Sequence, residues 1–337
     1  MTLSPQTCSK NGSSCWENVY TIKVVTLRLR TNLQSNLIDG LPPLGSNGFA
    51  ERAVQTLTLM HEWGYAPSLD TLASELLGGS VDPSRILTLV RESPAISIMD
   101  GFVCLDGNER LVAKSKERVA SHRRQNGEAF AVAKAFAREL IRFCPVVECV
   151  GLSGSAASGG YADGDDVDFD LFARDGTKYL VYGVALALGL KVALLRWHAR
   201  GFRKLICINV IWNRSESMPF ARRDRGLAFE LLHCQPLIGA DTFREVIMRN
   251  EWTFNFFPQV GQRVFSSDSR PEPNLFGRLV LRISRHPRLL PVVDLMSRAA
   301  TRCVYELAHL LRSRDKQAVE RLEFLRRVKY PYEVFQD

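Results

Sequence analysis

Residues 150–172 read Val-Gly-Leu-Ser-Gly-Ser-Ala-Ala-Ser-Gly-Gly-Tyr-Ala-Asp-Gly-Asp-Asp-Val-Asp-Phe-Asp-Leu-Phe. Two features of this stretch carry chemistry. Asp166, Asp168 and Asp170 lie two apart, so in an extended chain their carboxylates share one face, while Val167, Phe169 and Leu171 take the other and can enter a core. Three carboxylates on one face repel each other, and the arrangement is favourable mainly when a cation neutralises it. Magnesium is the expected ion, a hard cation that binds through carboxylates and substrate phosphates. Upstream, Gly154 lets the backbone approach a ligand closely, and backbone N–H groups with the Ser155 hydroxyl can hold a phosphate. Other phosphate and nucleophile motifs are excluded. No Gly-Lys-Ser/Thr makes a Walker loop, no G-x-G-x-x-G makes a dinucleotide fingerprint, and no G-x-S-x-G passes through Ser153, Ser155 or Ser158. A calcium loop of the EF-hand kind lacks its terminal glutamate and flanking helices.

Strand, Gly-Ser, a loop of about ten residues and then alternating aspartates in a second strand resemble the DNA-polymerase-β-like nucleotidyltransferase superfamily. The likeness runs over roughly residues 115 to 260. It extends to a subgroup of uncharacterised microbial nucleotidyltransferases through segments like Lys204–Asn209, Ala228–Gly239 and Asn250-Glu-Trp252 leading into Phe256-Phe257-Pro258. The resemblance implies attack of an acceptor hydroxyl on the α-phosphate of a nucleoside triphosphate, with pyrophosphate leaving. In register, Leu171-Phe172 follows as the family's apolar pair does, which makes Asp168 and Asp170 the implied catalytic and metal-binding pair, with Asp166 behind them. Gly154 and Ser155 are the implied nucleotide-binding residues. The family also places a third carboxylate on a neighbouring strand. The matching strand here, Leu205–Trp212, has only Asn209, which cannot accept a proton at neutral pH. Glu216, Asp224 or Glu230 must then reach in, or the base is dispensable, or the domain is degenerate and senses nucleotide without catalysis. The alternative reading is accordingly a winged-helix DNA-binding regulator with a degenerate, nucleotide-sensing domain.

These residues need elements to position them. Ala50–Trp63 has helical spacing, Ser68 caps a second helix through Leu77, and Asp82-Pro83 opens a third that runs to Arg91. Ile96–Met99 and Phe102–Leu105 around Asp100-Gly101 read as a hairpin. Three helices and a hairpin resemble a winged helix, whose third helix here offers Ser84, Arg85, Thr88 and Arg91 to nucleic acid or to a protein partner. A long basic helix follows from Arg110 to Phe143, with Gly127 as a candidate interruption, and packs through Phe130, Ala133, Phe136 and Leu140. The expected fold is α+β: a loosely ordered arm (residues 1–46, with Val24–Leu29 as a candidate strand), a winged-helix-like module (47–108), a mixed-sheet nucleotidyltransferase domain (109–240) and C-terminal helices (241–337).

Composition bounds the partners. The chain has 337 residues, a net charge of +8 and 46% apolar residues, values of a globular protein. Residues 109–142 hold nine Lys or Arg against four acids, and 268–337 hold fourteen against nine, an excess that suits a nucleotide or nucleic acid. Arg222, Arg223 and Arg225 are candidates for a triphosphate clamp. Eight cysteines without a C-x-x-C pair support neither a zinc site nor a disulfide framework, and with no export signal read at the N-terminus a cytoplasmic location is expected. Leu180–Leu195 is apolar but broken by Lys191, so a buried helix is expected rather than a membrane span, with Arg196, Arg200, Arg203 and Lys204 close behind it. His233-Cys234 reads as core. Cys303, Glu306 and His309 share a helical spacing but lack a second cluster to complete a metal site.

Overall fold

Apolar alternation sorts the central strands into two faces, and the computed structural model, which describes residues 46–162, 164–200 and 205–311, shows what covers each face. The order begins with three helices, α1 (Ser46–Glu62), α2 (Leu69–Ser74) and α3 (Pro83–Glu92), and a hairpin of β1 (Ile96–Met99) and β2 (Phe102–Leu105). Ser68 Oγ accepts from Thr71 N at 3.1 Å and Asp82 Oδ1 from Ser84 N at 2.8 Å, which are the two N-caps expected of these residues. Helix α2 stops short of Leu77, because the Leu77 N–H donates to the Thr56 hydroxyl on α1 instead of continuing the helical ladder. Asp100-Gly101 turns the hairpin with both residues at positive φ. The arm and its candidate strand, together with the basic residues Arg203 and Lys204, lie outside the described residues.

Helix α4 (Arg110–Phe143) runs unbroken through Gly127, roughly 51 Å at 1.5 Å per residue. A glycine there weakens the helix by about 1 kcal/mol, but burial on both sides of it holds the ladder together. N-terminally, Val112 packs with Ala66 and Cys104, and Ser115 Oγ accepts from Ala66 N at 2.8 Å. C-terminally, Ala133, Phe136, Leu140 and Ile141 are buried against the sheet, while Phe130 is half-buried.

That sheet is mixed and four-stranded, in the order β5 (Ile206–Asn213), β4 (Val167–Ala173), β3 (Val147–Ser153), β6 (Gln235–Ile238). Strand β3 is antiparallel to both β4 and β6, and β4 is parallel to β5. A parallel pair needs a crossover, and α6 (Lys178–Arg200) supplies it. One face, with Val167, Phe169, Leu171 and Ile211, packs on α4 and on Val181, Ala185 and Leu188 of α6. By length and composition α6 passes as a membrane span; Val181, Ala185 and Leu188 lie in the core, but only 33% of the stretch Lys178–Leu195 is buried and Leu190, Leu194 and Leu195 are exposed. The opposite face, with Cys149, Phe172, Val210 and Trp212, packs on α8 (Arg225–His233) and α9 (Ala240–Arg249). The same apolar cluster continues without a break into α1, α2 and α3. After α9 the helices are α10 (Thr253–Phe256), α11 (Gln259–Gln262), α12 (Leu275–Ser284) and α13 (Leu289–Leu311), with a single turn, α7 (Arg214–Ser217), earlier between β5 and α8. The chain is thus α+β around a mixed sheet.

Candidate metal centre

Strand β3 ends at Ser153 and the chain turns directly into a one-turn helix, α5 (Gly154–Ala157). Register places Asp168 opposite Ser153 on one side and Cys207 on the other, so its carboxylate emerges where the sheet stops. Gly154 sits against it with φ +61, and a Cβ there would stand 2.2 Å from Asp168 Oδ2. No other residue type fits without moving the carboxylate. Asp166, one step toward the loop, and Cys207 complete a group of three whose ligand atoms all lie within 4.8 Å of one another. All three are half-exposed.

Asp170 occupies a different environment. It pairs with Gly151 and Val210 in the middle of the sheet and is fully buried. Its Oδ1 accepts from Ser153 Oγ at 3.0 Å and from Asn209 Nδ2 at 3.3 Å, and its Oδ2 has no hydrogen-bond partner. Burial, and then the charge of Glu230, push this carboxyl well above its ordinary range, against the hydrogen bonds from Ser153 and Asn209. Asn209 reaches it because β5 bulges: Phe169 pairs with Ile208 and Asp170 with Val210, leaving Asn209 as the extra residue. Its Nδ2 also donates to Glu230 Oε1 at 3.2 Å. Of the three acids that sequence offers as a third carboxylate, Glu230 is therefore the one beside Asn209. Glu216 instead caps α7 and pairs with Lys178, and Asp224 caps α8.

The loop between α5 and β4 is organised by Asp165. One oxygen of this residue accepts from Arg118 at 2.5 Å, from the Ser155 hydroxyl at 2.8 Å and from Ala162 N at 3.1 Å. The Tyr161 N–H donates to His122 Nδ1 at 3.2 Å, and burial lowers the His122 pKa, which keeps that nitrogen an acceptor. Arg118 and His122 are one turn apart on α4, so the basic helix holds the glycine loop directly. Ser155 thus faces Asp165, and Gly154 faces Asp168.

Other candidates fall elsewhere. Arg222 pairs with Asp224. His233 is core: Nδ1 contacts Phe229 O at 3.0 Å and Nε2 contacts Glu75 at 3.1 Å. Burial alone would lower its pKa, but Glu75 and the carbonyl hold it above the ordinary value. Burial raises the Cys234 thiol well above its usual range, which leaves it un-ionised. Asn250 is wholly buried and fully used, accepting from Phe220 N and Trp252 Nε1 and donating to Ser217 O and Val246 O. Cys303 is exposed, while the side chains of Glu306 and His309, like those of Arg196 and Arg200, lie outside the described residues. Sequence reasoning passed over Cys207, Asp165, Arg118 and His122. A usable signal existed for the first, since Cys207 lies two residues before Asn209 and hence on the same face of an extended strand.

Compared with known proteins, the chain matches no family model, no curated protein and no solved structure.

Proposed function

We propose that the chain is a metal-dependent nucleotidyltransferase, moving a nucleoside monophosphate from a nucleoside triphosphate to an acceptor hydroxyl. One observation carries the reading: Asp166 and Asp168 converge at the end of the sheet, with Gly154 leaving bare backbone beside the Asp168 carboxylate. The donor set suits a divalent cation. Two half-exposed carboxylates lie close enough to share one, and the bare backbone of Gly154 makes room for the Asp168 carboxylate. The sequence resemblance names Asp168 and Asp170 as the pair. We assign Asp166 and Asp168 instead, because the two share the exposed sheet end, whereas Asp170 is enclosed by Ser153, Asn209 and Glu230.

A bound cation supplies charge to offset that developing on the phosphates and on the departing pyrophosphate. The chain's own residues do the rest. Asp166 and Asp168 hold and orient, Gly154 gives the Asp168 carboxylate room against the turn, and Asp165 fixes the loop through Ser155 and Arg118. Asn209 links Asp170 and Glu230 inside the sheet. The sensor alternative rested on Asn209 standing where a carboxylate belongs. Asn209 bridges Asp170 and Glu230, and release of pyrophosphate from a labelled triphosphate with candidate acceptors separates the two readings. Exposed Ser84, Arg85, Thr88 and Arg91 on α3 support a nucleic acid as acceptor or partner.

The test is calorimetric binding of a triphosphate with a divalent cation to wild type, Asp166→Asn and Asp168→Asn. We expect both variants to lose cation-dependent binding, with melting temperatures in the absence of metal level or higher, since each removes a repelling charge. Unchanged binding in both variants refutes the assignment.

A further inference from the structure

Phosphoryl chemistry commonly uses a hard cation held by oxygen. The donors gathered at this sheet end are not all oxygen. Two carboxylates, Asp166 and Asp168, meet the Cys207 thiol, with the ligand atoms within 4.8 Å of one another. Strand register brings the thiol there: Cys207 is the β5 partner of Asp168, while Ile206 and Ile208 on either side of it pack into the opposite face. Cys207 is also unlike Cys144, Cys149 and Cys234, which are buried and whose thiols burial pushes up. One further observation points to a ligand at this place. On the same face of β4, the wholly buried Asp170 carries an oxygen with no hydrogen-bond partner.

We infer that the Cys207 thiolate is the third protein ligand of this centre, and that the centre consequently selects a borderline divalent transition ion such as Co²⁺ or Zn²⁺ over Mg²⁺. The inference rests on Asp166 and Asp168 holding the cation. Mg²⁺ demands a near-octahedral oxygen shell and dehydrates reluctantly, so a sulphur donor on one side is a poor match. Thiolate softness and the general order of divalent affinities both favour the later ions. Binding releases the thiol proton to solvent, which makes affinity for such ions rise with pH.

The experiment titrates the full chain with Co²⁺, following the sulphur-to-cobalt charge-transfer absorption in the near ultraviolet, alongside calorimetry with Mg²⁺. Wild type should show the band. Cys207→Ser should lose it and bind Co²⁺ at least about tenfold more weakly, no less than a change behind a metal ligand commonly produces. Cys207→Asp, with an all-oxygen set, should move the preference toward Mg²⁺, and it guards against a serine variant that merely folds poorly. A band that persists in Cys207→Ser overturns the inference, since another thiol is then the ligand. Binding of Co²⁺ that depends on Asp166 and Asp168 but shows no band also overturns it, while leaving the carboxylate site standing. Binding indifferent to Asp168→Asn removes the underlying site itself.

Discussion

Replacing Gly154 with alanine separates two effects that the structure superimposes at one atom. The first is backbone strain: Gly154 has φ +61, and an L-residue in the left-handed region loses roughly 1–2 kcal/mol. The second is steric. The new Cβ would meet Asp168 Oδ2 at 2.2 Å, Cγ at 2.9 Å and Cβ at 3.0 Å. Relief to ordinary contact moves the carboxylate by about 1 Å, several times the ~0.2 Å tolerance of a metal–ligand distance. Gly159 supplies the control, having φ +80 with nothing within 4 Å of its would-be Cβ, so Gly159→Ala carries the strain alone. Gly159→Ala should therefore lose roughly 1–2 kcal/mol in urea unfolding, and Gly154→Ala at least as much, since the clash adds to the strain. Only Gly154→Ala should lose cation affinity, by about 10–100-fold, because only there does a ligand leave its position. Calorimetry of cation binding beside urea titrations decides it. Equal affinities in the two variants would show that Asp168 is not a ligand, or that its position does not depend on the bare glycine.

Two other predictions follow from the interior. Asn209→Asp removes the amide that donates to both Asp170 and Glu230 and adds a third carboxylate between them, so we expect a loss of about 3 kcal/mol in chemical unfolding rather than a gain of activity; unchanged stability would show that the bridge is not formed in solution. His61 presents two buried ring nitrogens without hydrogen-bond partners, and burial lowers its pKa to about 4. Because the unfolded chain takes up the proton first, stability is full above the ordinary value of 6.5 and declines as pH falls toward about 4. The slope is at most about 1.4 kcal/mol per pH unit, less where solvent still reaches the ring. His61→Leu should flatten that part of the melting profile, and an unaltered profile would rule out His61 as its source.

Local patterns and long-range register contribute differently to what the sequence made legible. The three helices before the hairpin, their caps at Ser68 and Asp82, and the strand alternation of Val167, Phe169 and Leu171 are decided within a few residues, and the elements occur where those signals lie. The depth of each aspartate is not local. Asp166, Asp168 and Asp170 look alike along the strand, but only the pairing of β4 with Ser153 and Gly151 fixes that Asp168 emerges at the sheet end while Asp170 is enclosed. Asn209 poses a harder case. Its partners depend on a one-residue bulge between strands separated by all of α6, and no single-strand pattern announces that offset. Cys207 shares the strand face of Asn209 by its two-residue spacing, but its closeness to Asp166 and Asp168 became visible only once β5 was laid parallel to β4.

The unbroken helix α4 has a mechanical consequence. Within about two turns it anchors Ala66 through Ser115, Asp165 through Arg118, and Tyr161 through His122. Ala66 adjoins Pro67, whose carbonyl accepts from Val103 of the hairpin, and Asp165 and Tyr161 belong to the glycine loop. Hairpin and loop are thus bolted to one short length of the same rod. A ligand that tilts the hairpin relative to the sheet must drag on the loop beside Asp166 and Asp168, and a substrate that tightens the loop must pull on the hairpin in return.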